Sequence, residues 1–378
     1  RHMLVSTPDR HLVFFGTETT IGTKSTQDDM FIRFSAVENI NTYTPTATND
    51  AGTQRLADGS RIMGAIRGRD AIYVYTDTAL FLMRFVGQPF TFAFQQAGTN
   101  CGLVGKNAVV EVDGAAYWFS ENGFFKYSGN LQSLPCLVED YVFDDINLAS
   151  GNQMIYAGLN NLFGEVMWFY PTENSSVANR MVCYNYFDSS PQRPVWTNGT
   201  LARTMWEDSA VFGSPHALEY DAATDTSFDV VGNTEGSTIY YEHETGTDQV
   251  KGGATTAIVA NISSGDFDIT QARAQGTGQV TGVATFRGDG EFLMKIRRFI
   301  PDFISQTGNT QVTLQLRDFP NDSQASSALG PFTVSSSTKK VDTRARARAI
   351  ALKIANTTTN QSWKLGTFRL DIQPDGRR

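Results

Sequence analysis

Two segments decide the fold: Asp70-Ala-Ile-Tyr-Val-Tyr-Thr-Asp-Thr-Ala-Leu-Phe-Leu-Met-Arg-Phe-Val-Gly87, and Asn107-Ala-Val-Val-Glu-Val-Asp-Gly-Ala-Ala-Tyr-Trp-Phe-Ser-Glu-Asn-Gly-Phe-Phe-Lys-Tyr-Ser-Gly129. Each reads as a β-rich run, a turn and a second β-rich run. Val, Ile, Tyr, Phe and Trp suit a pleated, half-buried surface. Thr76-Asp77, Asp113-Gly114 and Asn122-Gly123 are hairpin breaks, because Gly supplies positive φ and Asn or Asp tolerates it. Asp70 and Asn107 are 37 residues apart. That spacing suits successive blades of a β-propeller, one small antiparallel sheet per repeat. A plain antiparallel sandwich with two hairpins at a coincidental spacing is the competing architecture.

Working outward, the chain of 378 residues is long enough for two or three cores. It has 33 Gly, 26 Phe, 12% aromatic and only 19% charged residues, the composition of an all-β protein. Strands are expected at Leu12–Gly16, Phe31–Ser35, Met154–Gly158, Glu165–Tyr170 and Arg180–Tyr186, with a strand pair from Trp196 to Trp206 and a further strand at Ser237–Glu244. Beyond these, Ala257–Ile262, Glu291–Ile300, Gln311–Arg317, Ala347–Ala355 and Trp363–Ile372 read as strands, and Ser323–Ser337 as a Ser-rich loop. Leu137–Ile146 is the best helical candidate. The pair Gly252-Gly253 marks the expected boundary between a blade-like domain, 1–254, and a C-terminal β domain, 255–378.

That boundary divides the charge. Residues 1–254 hold 15 Lys and Arg against 29 Asp and Glu, a net of −14; residues 255–378 hold 16 against 10, a net of +6. Opposite signs on two domains imply different surroundings for each.

The residue types that carry chemistry are sparse. Cys101, Cys136 and Cys183 are too few and too scattered for a disulfide framework or a zinc site, and read as small buried hydrophobes of a reducing compartment. Glu242-His243-Glu244 is the tightest group of metal-ligand types, but alternation on a strand turns His243 away from its neighbours. Asp140, Asp144 and Asp145 read as a solvated face rather than a glycosidase pair. Gly276 to Gly282 has the wrong spacing for a nucleotide loop, and Arg287-Gly288-Asp289-Gly290 reads as a turn. No catalytic residue, metal site or cofactor is expected. No apolar run reaches the ~20 residues of a membrane-spanning helix. No apolar region follows the basic start, so no signal peptide is read there, and the absence of Met at position 1 fits a fragment or a processed chain.

One basic feature stands out: Arg344-Ala-Arg346-Ala-Arg348-Ala-Ile350-Ala-Leu352-Lys-Ile354. Read as one strand, its even positions begin as Arg344, Arg346 and Arg348 and end as Ile350, Leu352 and Ile354. The arginine half is expected to project toward a subunit, a partner protein or a phosphate backbone. A solvated edge strand using charge against aggregation is the bland alternative.

Several phrases resemble the nozzle proteins of short-tailed bacteriophages, also called tail tubular protein B or DNA stabilisation protein. They are Pro8-Asp-Arg-His-Leu-Val13, Phe31-Ile-Arg-Phe-Ser35, Asn49-Asp-Ala-Gly52, Ile72-Tyr-Val-Tyr-Thr-Asp77, Phe163-Gly-Glu-Val-Met-Trp-Phe-Tyr-Pro171, Tyr241-Glu-His-Glu-Thr-Gly246, Phe299-Ile-Pro-Asp-Phe303 and Asp371-Ile-Gln-Pro-Asp-Gly-Arg-Arg378. Phe34-Ser35-Ala36 departs from the family, where Trp-Ser-Asp is expected. The family's N-terminal portion is not matched, which leaves closure of a propeller ring open. The resemblance implies a structural virion protein: a homohexamer at the distal end of the tail, below an adaptor ring and near fibre or receptor-binding proteins. Its channel would retain genomic DNA and pass it at ejection, with assembly in the host bacterial cytoplasm. A carbohydrate-binding or carbohydrate-cleaving propeller, as in a tailspike, is the alternative, and a β-sandwich adhesin a third.

Overall fold

The computed structural model describes residues 1–7, 9–209, 213–221, 237–251, 253–268, 292–319, 321–322 and 328–376. The chain forms two compact units, Arg1–Thr245 and Gly246–Arg378. The division falls at Thr245 rather than at the expected 254, and the paired strands Asp248–Lys251 and Ala254–Ala257 both belong to the second unit. Gly253, at φ +77°, lies between strands Asp248–Lys251 and Ala254–Ala257.

The first unit is a row of antiparallel meanders, each made from one contiguous segment. The first sheet comprises β1 (His2–Val5), β2 (Leu12–Glu18), β3 (Gln27–Phe34) and β4 (Gly52–Arg55). The second comprises β5 (Ile62–Arg67), β6 (Ile72–Thr76), β7 (Ala79–Gly87) and β8 (Thr91–Thr99). The third comprises β9 (Val109–Val112), β10 (Ala115–Ser120), β11 (Gly123–Tyr127) and β12 (Leu131–Leu134). After helices α1 (Glu139–Phe143) and α2 (Leu148–Met154) comes the fourth: β13 (Tyr156–Asn160), β14 (Glu165–Tyr170), β15 (Arg180–Asn185) and β16 (Trp196–Gly199). The fifth has β17 (Met205–Glu207), β18 (His216–Asp221) and β19 (Ser237–Glu242). This is the expected all-β, blade-like architecture.

The sheets stack face to face, and the sequence shows why. A strand covered on both faces reads as a continuous apolar run rather than an alternating one. The second strands β6, β10 and β14 are such runs and are almost wholly buried. Aromatics join consecutive sheets: Tyr75 of β6 meets Trp118 of β10 at 5.1 Å between ring centroids, and Phe124 of β11 meets Trp168 of β14 at 4.9 Å. Indole N–H groups tie the same junctions to main chain. Trp118 donates to Cys101 O (2.8 Å), Trp168 to Ala108 O (3.1 Å) and Trp206 to Leu159 O (2.7 Å).

The first strands define an axis. β1 lies beside β5, β5 beside β9, β9 beside β13 and β13 beside β17. The bridge between Asn107 and Tyr156 is parallel, as expected for inner strands that run the same way. Two glycines permit the close approach. A Cβ on Gly64 would lie 3.2 Å from Lys106 O, and one on Gly158 would lie 2.8 Å from the Trp206 ring.

Several expectations are corrected. The 37-residue offset does not relate equivalent strands, because Ile72 opens a second strand whereas Asn107 precedes a first. Equivalent second strands begin at Ile72, Ala115 and Glu165, spacings of 43 and 50 residues. The expected helix Leu137–Ile146 shrinks to α1, since Ile146 bridges to Thr172. Trp196 and Trp206 do not form one hairpin; they close the fourth sheet and open the fifth.

The second unit begins with the hairpin β20 (Asp248–Lys251) and β21 (Ala254–Ala257). Then follow β22 (Asn261–Ser263), β23 (Met294–Ile300), β24 (Phe303–Thr307), β25 (Thr310–Arg317), β26 (Ala328–Val334), β27 (Val341–Ala347), β28 (Ala349–Ala355), β29 (Ser362–Leu365) and β30 (Arg369–Pro374). Sheets β22-β28-β25-β26 and β27-β23-β30 share a core of Met294, Ile296, Leu314, Ala345, Ala347 and Ile350. The run expected at Ala257–Ile262 splits between β21 and β22, and Trp363–Ile372 between β29 and β30, which belong to different sheets. Part of the expected Ser-rich loop is strand β26. Gly276–Gly282 and Arg287–Gly290 lie outside the described residues.

Candidate functional site

The arginine row is not one strand. β27 and β28 lie in different sheets of the second unit, and Arg348 is the residue between them. The pattern of burial changes there. On β27 the odd positions Thr343, Ala345 and Ala347 are buried, whereas on β28 the buried residues are Ile350, Ala351 and Ile354. Arg344 and Arg346 therefore share the outer face of sheet β27-β23-β30, and the half-buried Arg348 sits at the crossover.

That outer face carries both signs of charge. Lys295 on β23 is opposite Arg346 and Gln373. Arg298 stands between Asp342, at 3.3 Å, and Asp371, at 3.8 Å. Arg346 pairs with Asp375, and Lys340 with Asp342 at 3.4 Å. Arg297, Arg344 and Arg369 are exposed. Interleaved carboxylates suit a folded protein surface, on which positive and negative groups alternate, better than a phosphate backbone of uniform sign.

The other sequence candidates diverge. Glu242 accepts from Ser214 Oγ (2.7 Å), His243 Nε2 from Arg203 Nε (2.9 Å) and Glu244 from Asn160 Nδ2 (3.3 Å). No group of metal-ligand side chains converges among the described residues. Asp140 and Asp144 are exposed, while Asp145 pairs with Arg180 at 3.4 Å. Cys101 and Cys183 are buried and Cys136 half-buried, and all three are free. Burial pushes the Cys101 thiol up to about 11 and Cys136 to about 12.

The sequence gives little warning of the polar network in the fifth sheet. Arg203 is 3% exposed, lies 3.9 Å over the Tyr241 ring and pairs with Glu219 at 3.3 Å. The His243 ring lies tilted against Trp206, with 4.6 Å between centroids. Burial first, then the Arg203 charge, hold His243 down at about 4. A neutral imidazole is what the geometry requires, since Nε2 must accept the guanidinium proton. Nothing in the local sequence links Arg203 to residues forty positions later.

Among the described residues, cavities open on the first unit in at least two places. One, of about 300 Å³, is lined by Asp9, Arg67, Arg69, Asp70, Phe85 and Phe92 among others. The second, of about 410 Å³, is lined by Arg1, Arg61, Ile62, Met63, Lys106 and Gln153. No helix of the described residues is long and apolar enough to cross a membrane.

No family model matches the chain, and no curated protein matches it. Among solved structures it is similar to the N-terminal domain of Nup159, with 7% identity and a TM-score of 0.25, over 64% of this chain and 83% of that one. It is also similar to an exo-β-1,3-galactanase from Phanerochaete chrysosporium with bound β-1,3-galactotriose, with 9% identity and a TM-score of 0.23, over 97% and 80%. At these scores neither carries an argument about what this chain does.

Proposed function

We propose that this chain is a structural virion component, the nozzle that closes the distal end of a short phage tail and passes DNA at ejection. The observation that carries the proposal is the run of nozzle-like phrases along both units, on sheet-forming segments. Phe31–Phe34 ends β3, Ile72–Thr76 is β6, and Glu165–Tyr170 is β14. Tyr241–Gly246 covers the end of β19 and the chain boundary between the two units, and Phe299–Phe303 joins β23 to β24.

Charge supports assembly with like copies. At the structural boundary, residues 1–245 hold 14 Lys and Arg against 28 Asp and Glu, a net of −14. Residues 246–378 hold 17 against 11, a net of +6. A heterologous ring brings two different surfaces of neighbouring copies together, and opposite signs on those surfaces favour it. The test is native mass measurement at low and moderate salt. A hexamer is expected. A monomer at all concentrations overturns the reading, and a trimer favours a spike.

A further inference from the structure

A cleft of about 300 Å³ opens at the C-terminal ends of β1 and β5, at the opposite end of β1 from Arg1. Two turns frame it. In the β1–β2 turn, Arg10 N–H donates to Ser6 O (2.9 Å) and His11 N–H to Ser6 Oγ (3.1 Å). In the β5–β6 turn, Gly68 N–H donates to Ala71 O (2.8 Å). The Tyr73 ring takes the room that a side chain at position 68 would need, since a Cβ on Gly68 would lie 2.1 Å from Tyr73 Cζ. Buried Ile72 of β6 and Met83 of β7 form the floor. Phe85, farther along β7, stands at the rim and is 49% exposed. Its ring leans on buried Phe92 (5.7 Å between centroids) and buried His11 (5.9 Å), so it is held from behind.

The charged groups of the cleft have both signs and do not pair with one another. Arg67 Nε donates to Val5 O (2.8 Å), which orients the guanidinium and leaves its terminal amino groups without a protein acceptor among the described residues. Arg69, Asp9 and Asp70 line the same cleft and make no side-chain hydrogen bond or ion pair among the described residues. Water serves these groups in the free protein, and their arrangement selects what can replace it. A lone anion meets Asp9 and Asp70, and a lone cation meets Arg67 and Arg69, so like charge opposes either. A neutral hydroxyl donates to a carboxylate and accepts from a guanidinium, and so suits both. A ligand that fills the cleft must also cover Ile72, Met83 and Phe85 with an apolar face. A pyranose has hydroxyls around its edge and a face of C–H groups, which the negative face of an aromatic ring attracts.

We propose that this cleft binds carbohydrate: a pyranose stacked on Phe85, its hydroxyls donating to Asp9 and Asp70 and accepting from Arg67 and Arg69. A volume of about 300 Å³ is at the small end of ligand sites, which limits the bound part to roughly one or two sugar rings. Arg69 and Asp70 are exposed, so a longer glycan can leave the cleft over the β5–β6 turn. The site is independent of the tail reading, since neither assembly nor a DNA channel enters into it.

The test is saturation-transfer NMR on the full chain, with D-glucose, D-galactose, D-mannose and N-acetyl-D-glucosamine as probes. L-Phenylalanine is the control, a zwitterion that carries both charges and a ring. At least one sugar is expected to bind with millimolar affinity and to receive most saturation on the C–H face that meets Phe85. Phe85→Ala should remove that binding, and Asp70→Ala should weaken it several-fold. Asp70 is exposed, so Asp70→Ala tests the site without threatening the fold, and thermal midpoints check both variants. A wild type that binds none of the four sugars overturns the proposal. So does sugar binding that survives undiminished in both variants, or binding of L-phenylalanine without any sugar, which would assign the cleft to zwitterions.

Discussion

Gly158 shows how one missing side chain positions two sheets. It sits on β13, where a Cβ would lie 2.8 Å from Cδ1 and Cγ of Trp206, the residue whose indole donates to Leu159 O. Gly158→Ala must displace a buried ring, and overpacking of this kind costs about 1–3 kcal/mol. Gly199→Ala is the control, since its nearest neighbour there would be Met181 Cε at an ordinary 3.8 Å. Denaturant unfolding should separate the two; equal stabilities would refute the packing account. The cysteines give a second test at this scale. A thiolate, not a thiol, attacks a disulfide reagent. Burial holds Cys101 and Cys136 at about 11 and about 12, and raises Cys183 further still. Near pH 8 the native protein should therefore react slowly at all three, and the unfolded protein quickly. A fast phase in the native protein would contradict this.

At the scale of elements, the fifth sheet is where pH should act. His243 accepts from Arg203, and that guanidinium also meets Glu219 and the Tyr241 ring. His216 adds a further repulsive charge when protonated. The folded value of His243 lies near 4, below the ~6.5 of an unfolded chain, so the unfolded state binds the proton more tightly. The stability from neutral His243 is fully present above pH 6.5 and is lost as pH falls toward 4. His243→Gln keeps an acceptor for Arg203 but cannot titrate. The wild type should lose more stability than this variant between pH 7 and pH 4.5, and parallel losses would exclude His243 as the cause. The same sheet marks a limit of sequence reading. The unbroken apolar runs Ile72–Thr76, Ala115–Ser120 and Glu165–Tyr170 were legible because burial on both faces removes alternation. Short inner strands such as His2–Val5 and Ile62–Arg67 were not, since they mix exposed with partly or fully buried positions and lack a long apolar run to mark them. Arg203 was illegible because its ring and carboxylate partners arrive from later in the chain. The arginine row failed differently. Alternation holds along Val341–Ala347, but beyond Arg348 the neighbours Ile350 and Ala351 are both buried, and only the tertiary crossover reveals that the chain has passed to another sheet.

At the scale of the whole molecule, the division of charge ties sequence to the proposed role. The chain carries −8, so six copies carry 6 × −8 = −48. An assembly that passes DNA needs a wall that does not hold it, because each phosphate contact adds counterion-release affinity and slows passage. The basic surplus of the second unit is then best spent on neighbouring copies or partner proteins. Arg344 and Arg346 stand on a face where Asp342, Asp371 and Asp375 alternate with Lys295 and Arg298, an arrangement that matches another mixed surface. Exposed ion pairs contribute about 0–1 kcal/mol each. Replacing Arg344, Arg346 and Arg348 together with Ser should therefore weaken each subunit contact by roughly 1–3 kcal/mol, about 5- to 150-fold in association. The fold should survive, because the outer face of β27 is solvated and its core contacts come from Thr343, Ala345 and Ala347. Assembly of the wild type should weaken as salt rises from 0.05 to 0.5 M, since screening shortens the reach of surface charge. Duplex DNA should bind weakly at physiological salt, and equally weakly to the variant. The opposite pattern would assign the arginine row to DNA: tight, salt-dependent binding by the wild type, lost in the variant while its assembly stays intact.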